Sequence, residues 1–319
     1  MINFTVSFDY ELIWGLYTRN SYDYINSNVA HANTVAEQIL AIHEQFNIPA
    51  TWAVVGLAAE VGDRKESLDY FFKHVYRNEI DLNNSEFRKF VACKELSSFG
   101  KVFGRILETN KQEIASHTYN HIFLNDFLNN LDLINEDFEK FNTLMSSVGV
   151  KVNSIVLPKN IFFLEFSEIL INNKIKCVRV NPDNFLYSGL SYKEPTRWIR
   201  YLRALDYYLP INEIVEIFKG KNIARSEKIP PQLVLSEATL FLRGSIENNF
   251  VNRIAYWRFV LSIWYRIYKK ESVHVWTHPH NFGSNPKQSM FWYLKMIKYV
   301  KSLERRNLIR ISGMGSLER

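Results

Sequence analysis

What most constrains the fold of this sequence is a repeated order, in which short β-rich runs alternate with longer segments of helical apolar spacing. Residues 2–8 form the first run, and in the segment 29–46 after it Val35, Ile39, Ile42 and Phe46 recur at the steps of one helical face. Residues 50–56 (ATWAVVG), entered through Pro49, read as a second strand and 113–116 as a third. Further runs fall at 154–157, 175–180, 233–238, 273–276 and 309–311, separated mostly by amphipathic stretches such as 132–148. A strand, a crossover helix and another strand make a parallel pair, so about eight such units predict an α/β fold with a parallel sheet, closed into a barrel in preference to an open one. Barrels carry their chemistry at the carboxyl ends of the strands. The spacing is least regular around 62–112, which reads as a helical insertion, and no repeat, low-complexity tract or Gly/Ser linker divides the chain. Residues 1–319 are therefore expected to form a single domain.

Composition narrows the partners. An aromatic share of 15% supplies a sizeable core and leaves rings for stacking surfaces of the kind sugars rest on. Lys and Arg number 39 against 33 Asp and Glu, a net charge of +6, which favours anionic partners. The long basic runs of a nucleic-acid tail are missing, so no nucleic-acid partner is expected; a phosphate-bearing substrate or an anionic membrane surface fits better. Cys93 and Cys177 form neither a metal clip nor a disulfide framework and read as buried thiols. The first residues enter a strand without the pattern of a secretory signal, which predicts a cytoplasmic protein. No apolar run reaches the roughly 20 residues of a spanning helix, because the greasiest segment, 254–268, carries Arg258 and Arg266, so membrane contact is peripheral at most. The aromatic and basic residues from Tyr256 to Lys270 suit a core helix, with a membrane-surface helix as the alternative.

The polar residues with catalytic potential sit where strands end: Asp9 and Glu11 after the first, His117 and His121 after the third, His278 and His280 after a late one. In extended backbone, residues two apart project to one side, so Asp9 and Glu11 are expected to face one cavity. His117 and His121 stand four apart in HTYNH and would point the same way if the segment made a helical turn. Two imidazoles and one carboxylate leave a coordination position open, the arrangement of a catalytic metal site. A second carboxylate beside it can take a proton from water, which makes amide or ester hydrolysis the expected chemistry.

These residues resemble a family, the polysaccharide deacetylases of the NodB-homology type. Ser7-Phe8-Asp9-Tyr10-Glu11 is similar to the first motif of that family and residues 113–121 (EIASHTYNH) to its second, with 50–56 resembling the strand placed between them. Residues 274–280 (HVWTHPH) resemble the late motif whose His precedes Pro and acts as general acid. The resemblance covers residues 2 to about 180 in order and again 273–282; it leaves about 185–270 unaligned. It implies a distorted (β/α) barrel, a single catalytic domain and a divalent metal, zinc by default. It also implies Glu11, His117 and His121 as metal ligands, Asp9 as base and His278 as acid. The common first motif has two adjacent acidic residues, whereas Tyr10 intervenes here, so the reverse assignment of Asp9 and Glu11 stays open. The family's Arg ahead of a Pro is missing too, since Pro158 follows Val156 and Leu157; Lys159 and Arg179 are the candidates for its positive charge.

The implied reaction removes an N-acyl group, in the first place N-acetyl, from an amino sugar carried on a nucleotide, lipid or glycan, in the making of surface polysaccharide. Hydrolysis of another non-peptide C–N bond, as in deformylase-like or allantoinase-like relatives, and a non-catalytic glycan-binding barrel are the alternatives. Trp14 is a candidate wall for a sugar subsite, or core. His280 and Asn281, beside His278, could bind substrate or orient the acid and are as readily the turn or cap of a strand end, so neither is taken as catalytic; His31, His43 and His74 are read as surface or interface histidines.

Overall fold

A computed structural model of the chain describes residues 1–16, 22–62, 64–75, 85–127, 130–182, 184, 186–187, 196–219 and 229–318. In chain order the main elements are β1 (Ile2–Tyr10), α1 (Ala32–Phe46), β2 (Ala50–Val54), α2 (Lys101–Glu108), β3 (Gln112–Ser116), α3 (Leu131–Ser147), β4 (Ser154–Val156), α4 (Ser167–Asn172) and β5 (Cys177–Val180). There follow α5 (Arg197–Asp206), α6 (Ile211–Lys219), β6 (Val234–Glu237), β7 (Leu240–Phe241), α7 (Asn249–Lys269), β8 (Val273–Thr277), α8 (Pro286–Arg305) and β9 (Ile309–Ile311).

The first strand shows why the sequence folds this way. Phe4, Val6, Phe8 and Tyr10 alternate along β1 with Thr5, Ser7 and Asp9, yet all seven are buried, because both faces of a parallel sheet are covered. The even residues meet the helices: the Phe8 ring lies 5.6 Å from His43 of α1 and 6.4 Å from Tyr293 of α8. Burying one such ring stabilises the fold by roughly 1.5–3 kcal/mol. The odd residues face inward, where the interior carries small side chains such as Ala53, Ala115 and Cys177 alongside polar ones. The apolar core thus lies outside the sheet and leaves the inside for chemistry.

The described strands form one sheet of nine in the order β6-β5-β4-β3-β2-β1-β8-β7, with β9 added to the start of β1 and all pairings parallel. Laid flat, β5 and β1 would stand about 19 Å apart at strand spacing. Instead, the Arg179 guanidinium on β5 touches Asp9 on β1 at 2.6 and 2.5 Å, so the sheet is curled. Its two edge strands are successive pieces of one bent run. β6 pairs with β5 as far as Glu237, the Thr239 hydroxyl then takes the place of a ladder bond to His274 (3.1 and 2.9 Å), and β7 pairs with β8. The expected distorted barrel is therefore observed, with β7 added; two residues are too few for any sequence period.

At the amino ends of the strands the carboxylate of Glu113 accepts from the Thr51 hydroxyl (2.9 Å), the Ser154 hydroxyl and the Gly315 amide (2.9 Å), and buried Met314 plugs that end. Helix boundaries follow local chemistry. Asn130, Asn248 and Asn285 cap α3, α7 and α8 by accepting from first-turn amides, and Asn47 ends α1 in the left-handed region at φ 51°. The irregular stretch near 62–112 is helical where described; residues 63 and 76–84 lie outside the described residues.

Some expectations are corrected here. Cys177 is buried but Cys93 only half so. Trp14 is fully buried, donating to the Ser97 carbonyl at 2.9 Å with its ring edge-on to Phe71, so it builds core and no sugar wall. His43 is also core, with Nε2 at 2.5 Å from the Tyr293 hydroxyl, and burial depresses its pKa to about 3. Helix α7 packs Ala255, Phe259, Val260 and Ile263 inward but leaves Trp257, Leu261, Trp264 and Tyr268 exposed. Its Arg258 and Arg266 are buried against Asp206 and Glu213, and against Glu216 and Glu271. No described helix is long and apolar enough to cross a membrane.

Candidate active site

Asp9 is the last residue but one of β1 and Glu11 follows the strand on the same side; both line a cavity of about 930 Å³ at the carboxyl ends of the strands, with His117, His121, His278 and His280. His117 leaves β3 with its amide donating to the Val54 carbonyl of β2 at 2.9 Å. The expected helical turn through HTYNH is not formed. The chain reverses instead through left-handed backbone at Thr118 (φ 63°) and His121 (φ 54°), an uncommon conformation for a β-branched residue and one that needs outside support. Asp137 of α3 supplies it, accepting from the amides of Tyr119 (2.7 Å) and Asn120 (2.9 Å) and from Asn120 Nδ2 (2.9 Å). The loop achieves what the turn was expected to: the imidazoles lie 4.9 Å apart, and Nε2 of His117 and of His121 stand 3.2 and 2.9 Å from one oxygen of Glu11.

That triangle has the donor chemistry of a cation site. His117 Nδ1 lies 2.6 Å from the Val156 carbonyl and must donate to it, so a neutral ring turns the Nε2 lone pair toward the Glu11 carboxylate. Two acceptors facing each other need a cation between them. Burial pulls His121 below its ordinary pKa and toward the neutral form. Burial would raise Glu11, but the neighbouring His278, His117 and His121 outweigh it and hold Glu11 well below the usual carboxylate range. The residues present fit a divalent metal held by Glu11, His117 and His121, whose donor atoms all lie within 4.8 Å of one another.

Glu11 also approaches a second group, His278 and His280. The hydrogen bonds speak against ligation there. Tyr24 donates to Asn281 Oδ1 at 3.0 Å, which turns the amide Nδ2 to His278 Nδ1 at 3.3 Å. His278 then carries its proton on Nε2, the atom 3.4 Å from Glu11 and 3.7 Å from Asp9, and a protonated nitrogen is a donor and no ligand. His280 stacks on the His278 ring at 4.8 Å. Asn281 and His280 thus belong to the site, the reading that the sequence left open beside a strand-end turn.

Of the two candidate cations it is Arg179 that meets Asp9, through a buried two-pronged pair; its Nε also donates to Asn160 Oδ1 (2.8 Å) and its NH1 to the Ser7 hydroxyl (2.8 Å). Burial alone would raise Asp9, and Arg179 above all, with His278 and His117, brings it below its ordinary value. Ser7 in turn meets His274 Nε2, whose Nδ1 meets the Ser236 hydroxyl, both at 2.7 Å, so polar contacts run from β6 through β8 to the base of the site. Lys159 lines the same cavity with Nζ 4.1 Å from the Phe123 ring centre. Sequence reading missed Asn160 and the Val156 carbonyl, whose parts depend on which strands become neighbours.

Gly15, four residues after Glu11, has a specific part. A Cβ on Gly15 would lie 2.1 Å from the Glu11 carboxyl carbon, so the glycine makes room for that carboxylate. Gly15→Ala is expected to push Glu11 aside: turnover falls by about 10–100-fold, the cost typical of disturbing a metal's supporting shell, while the thermal midpoint moves little. Unaltered kinetics in that variant would show that Glu11 holds no critical position.

The sequence matches no protein-family model and no curated protein. Solved structures do match. A Mycobacterium smegmatis protein provisionally described as a polysaccharide deacetylase superposes with a TM-score of 0.53 at 14% identity, over 98% of this chain and 87% of the other. PuuE allantoinase superposes with a TM-score of 0.50 at 11% identity, over 98% of this chain and 87% of its own. The chain has the polysaccharide deacetylase fold, a distorted parallel (β/α) barrel.

Proposed function

We propose that this protein is a metal-dependent hydrolase that removes an N-acyl group, in the first place N-acetyl, from an amino sugar. The observation that carries the reading is the division of the two carboxylates: Glu11 faces the His117 and His121 nitrogens, whereas Asp9 is held by Arg179. This supports Glu11 as ligand and Asp9 as base. When bound, a divalent metal, zinc by default, would acidify water and offset charge growing on the acyl oxygen. Asp9, kept ionised by Arg179, takes the proton of the water that adds to the acyl carbon. As the C–N bond breaks, His278 Nε2 gives its proton to the departing amine, and Asn281 holds the ring in the tautomer that can do so. Net, one water and one amide become a carboxylic acid and an amine.

The cavity walls suit a sugar bearing an anionic carrier, as aromatic Tyr24, Tyr187 and Trp276 line it together with Lys159, Arg203 and Arg243. A nucleotide- or lipid-linked precursor of surface polysaccharide fits this lining and the chain's net positive charge. The test is to incubate the metal-replete protein with acetamido-sugar nucleotides and lipid-linked acetamido sugars and to follow products by mass spectrometry. Acetate release that disappears in His117→Ala is expected. Release of formate or a urea derivative would turn the reading toward another C–N bond, and tight sugar binding without product would leave a glycan-binding barrel.

A further inference from the structure

Helix α7 carries an apolar stripe that no described residue covers. Phe250, Trp257, Leu261, Trp264 and Tyr268 are all exposed, from 39% for Trp264 to 81% for Tyr268. At 100° per residue they fall within an arc of roughly 60°, and at 1.5 Å per residue they extend over about 27 Å, so this is one line along the helix. On the neighbouring helices Trp198 and Tyr201 of α5, Ile214 and Ile217 of α6 and Phe291 of α8 are exposed as well. Isolated exposed apolar residues need no account, but a run of this length marks an interaction surface.

The charges around it identify the partner. Helix α7 contains no acidic residue at all. Asp206, Glu213 and Glu216, the acidic residues of α5 and α6, are buried against Arg258 and Arg266, and Glu304, the one acidic residue of α8, is half-buried and paired with Lys301. Every exposed charge on these four helices is therefore basic, among them Arg197, Arg200, Arg253, Lys269, Lys295 and Lys298. Glu247 and Glu271, just outside the ends of α7, are the acids nearest the stripe, and Glu271 is paired with Arg266; an apolar stripe rich in Trp and Tyr on helices whose exposed charges are basic complements a bilayer with anionic headgroups. A second copy of the chain would instead set like charges against one another.

We propose that the face built on α7, with α5, α6 and α8, docks this protein on an anionic membrane surface. Arg203 of α5 and Arg243, just ahead of α7, both line the catalytic cavity, so docking through these helices holds the mouth near the headgroup layer. The surface stands independently of the hydrolytic reading: it rests on other residues and is read by adsorption, without turnover.

The experiment is vesicle co-sedimentation of the full chain, with neutral phosphatidylcholine vesicles and with vesicles containing about 30 mol% phosphatidylserine. Binding to the anionic vesicles alone is expected, weakened at about 0.5 M salt, where exposed charges are screened. Trp257→Glu with Leu261→Glu should lower it by about 10-fold or more, with circular dichroism unchanged because both positions are exposed. Lys269→Glu with Lys270→Glu should weaken it without touching the stripe. Equal binding to both vesicle types, no binding, or a dimer in sedimentation velocity that the Trp257 and Leu261 changes dissolve would each overturn the proposal.

Discussion

Replacing Arg179 with Met is expected to cost this protein both its turnover and much of its stability, and adding Asp9→Asn is expected to restore only the stability. Arg179 is completely buried and Asp9 nearly so. Removing one partner of such a pair leaves an uncompensated charge, at a cost of about 3–5 kcal/mol. The second change removes that charge and should recover most of the loss, since Asn keeps the shape without the carboxylate. Turnover stays down by about 10²–10⁴-fold in both variants, the share general-base catalysis supplies. Denaturant midpoints across pH sharpen the test. With Arg179 present the Asp9 carboxyl is held below its ordinary value, so the pair stabilises the fold above the usual Asp pKa and that contribution is lost as pH falls through the folded value. With Arg179 gone, burial loses its strongest opponent and Asp9 rises from its folded value, so the extra stability above the usual Asp pKa should shrink in that variant. A double variant as unstable as Arg179→Met, or an Arg179→Met enzyme with full turnover, would detach Arg179 from the base.

How far the sequence shows this site depends on how local each part is. Asp9 and Glu11 were legible because the period of a strand is two residues, and His117 and His121 because their spacing is short whichever backbone joins them. The backbone itself was not legible: the helical turn expected for HTYNH gave way to a left-handed loop whose support, Asp137, comes from the next helix. Arg179 was legible only as one of two cations, because no sequence period says that β5 will curl round to face β1. The barrel showed in the alternation of strand and helix, but β7 did not, being two residues long and recognisable only by its partner. His43 misled and Trp14 stayed open for one shared reason, since residues that often do surface work are also large enough to fill a core when their polar atoms find partners.

Metal content should divide the histidines of the cavity into two kinds. In His117→Ala and His121→Ala the affinity for zinc is expected to fall by more than about 100-fold, since even outer-shell changes cost 10–100-fold, and turnover should go with it. Glu11→Gln should behave the same way, because it removes the anion on which both imidazole nitrogens converge. His278→Ala is expected to keep its metal and still lose turnover by about 10²–10⁴-fold, as befits a residue whose Nε2 proton serves the leaving amine. The contrast is needed because Glu11 stands within reach of both pairs, His117 with His121 and His278 with His280. What separates them is the hydrogen bonding behind each ring: His117 Nδ1 is committed to the Val156 carbonyl, which frees Nε2 as a ligand, whereas the Asn281 amide puts the proton of His278 on Nε2. Elemental analysis of the purified variants reads this directly, and a His278→Ala protein that comes out metal-free beside a metal-loaded His117→Ala would move the ion to the other pair and take the proposed acid with it.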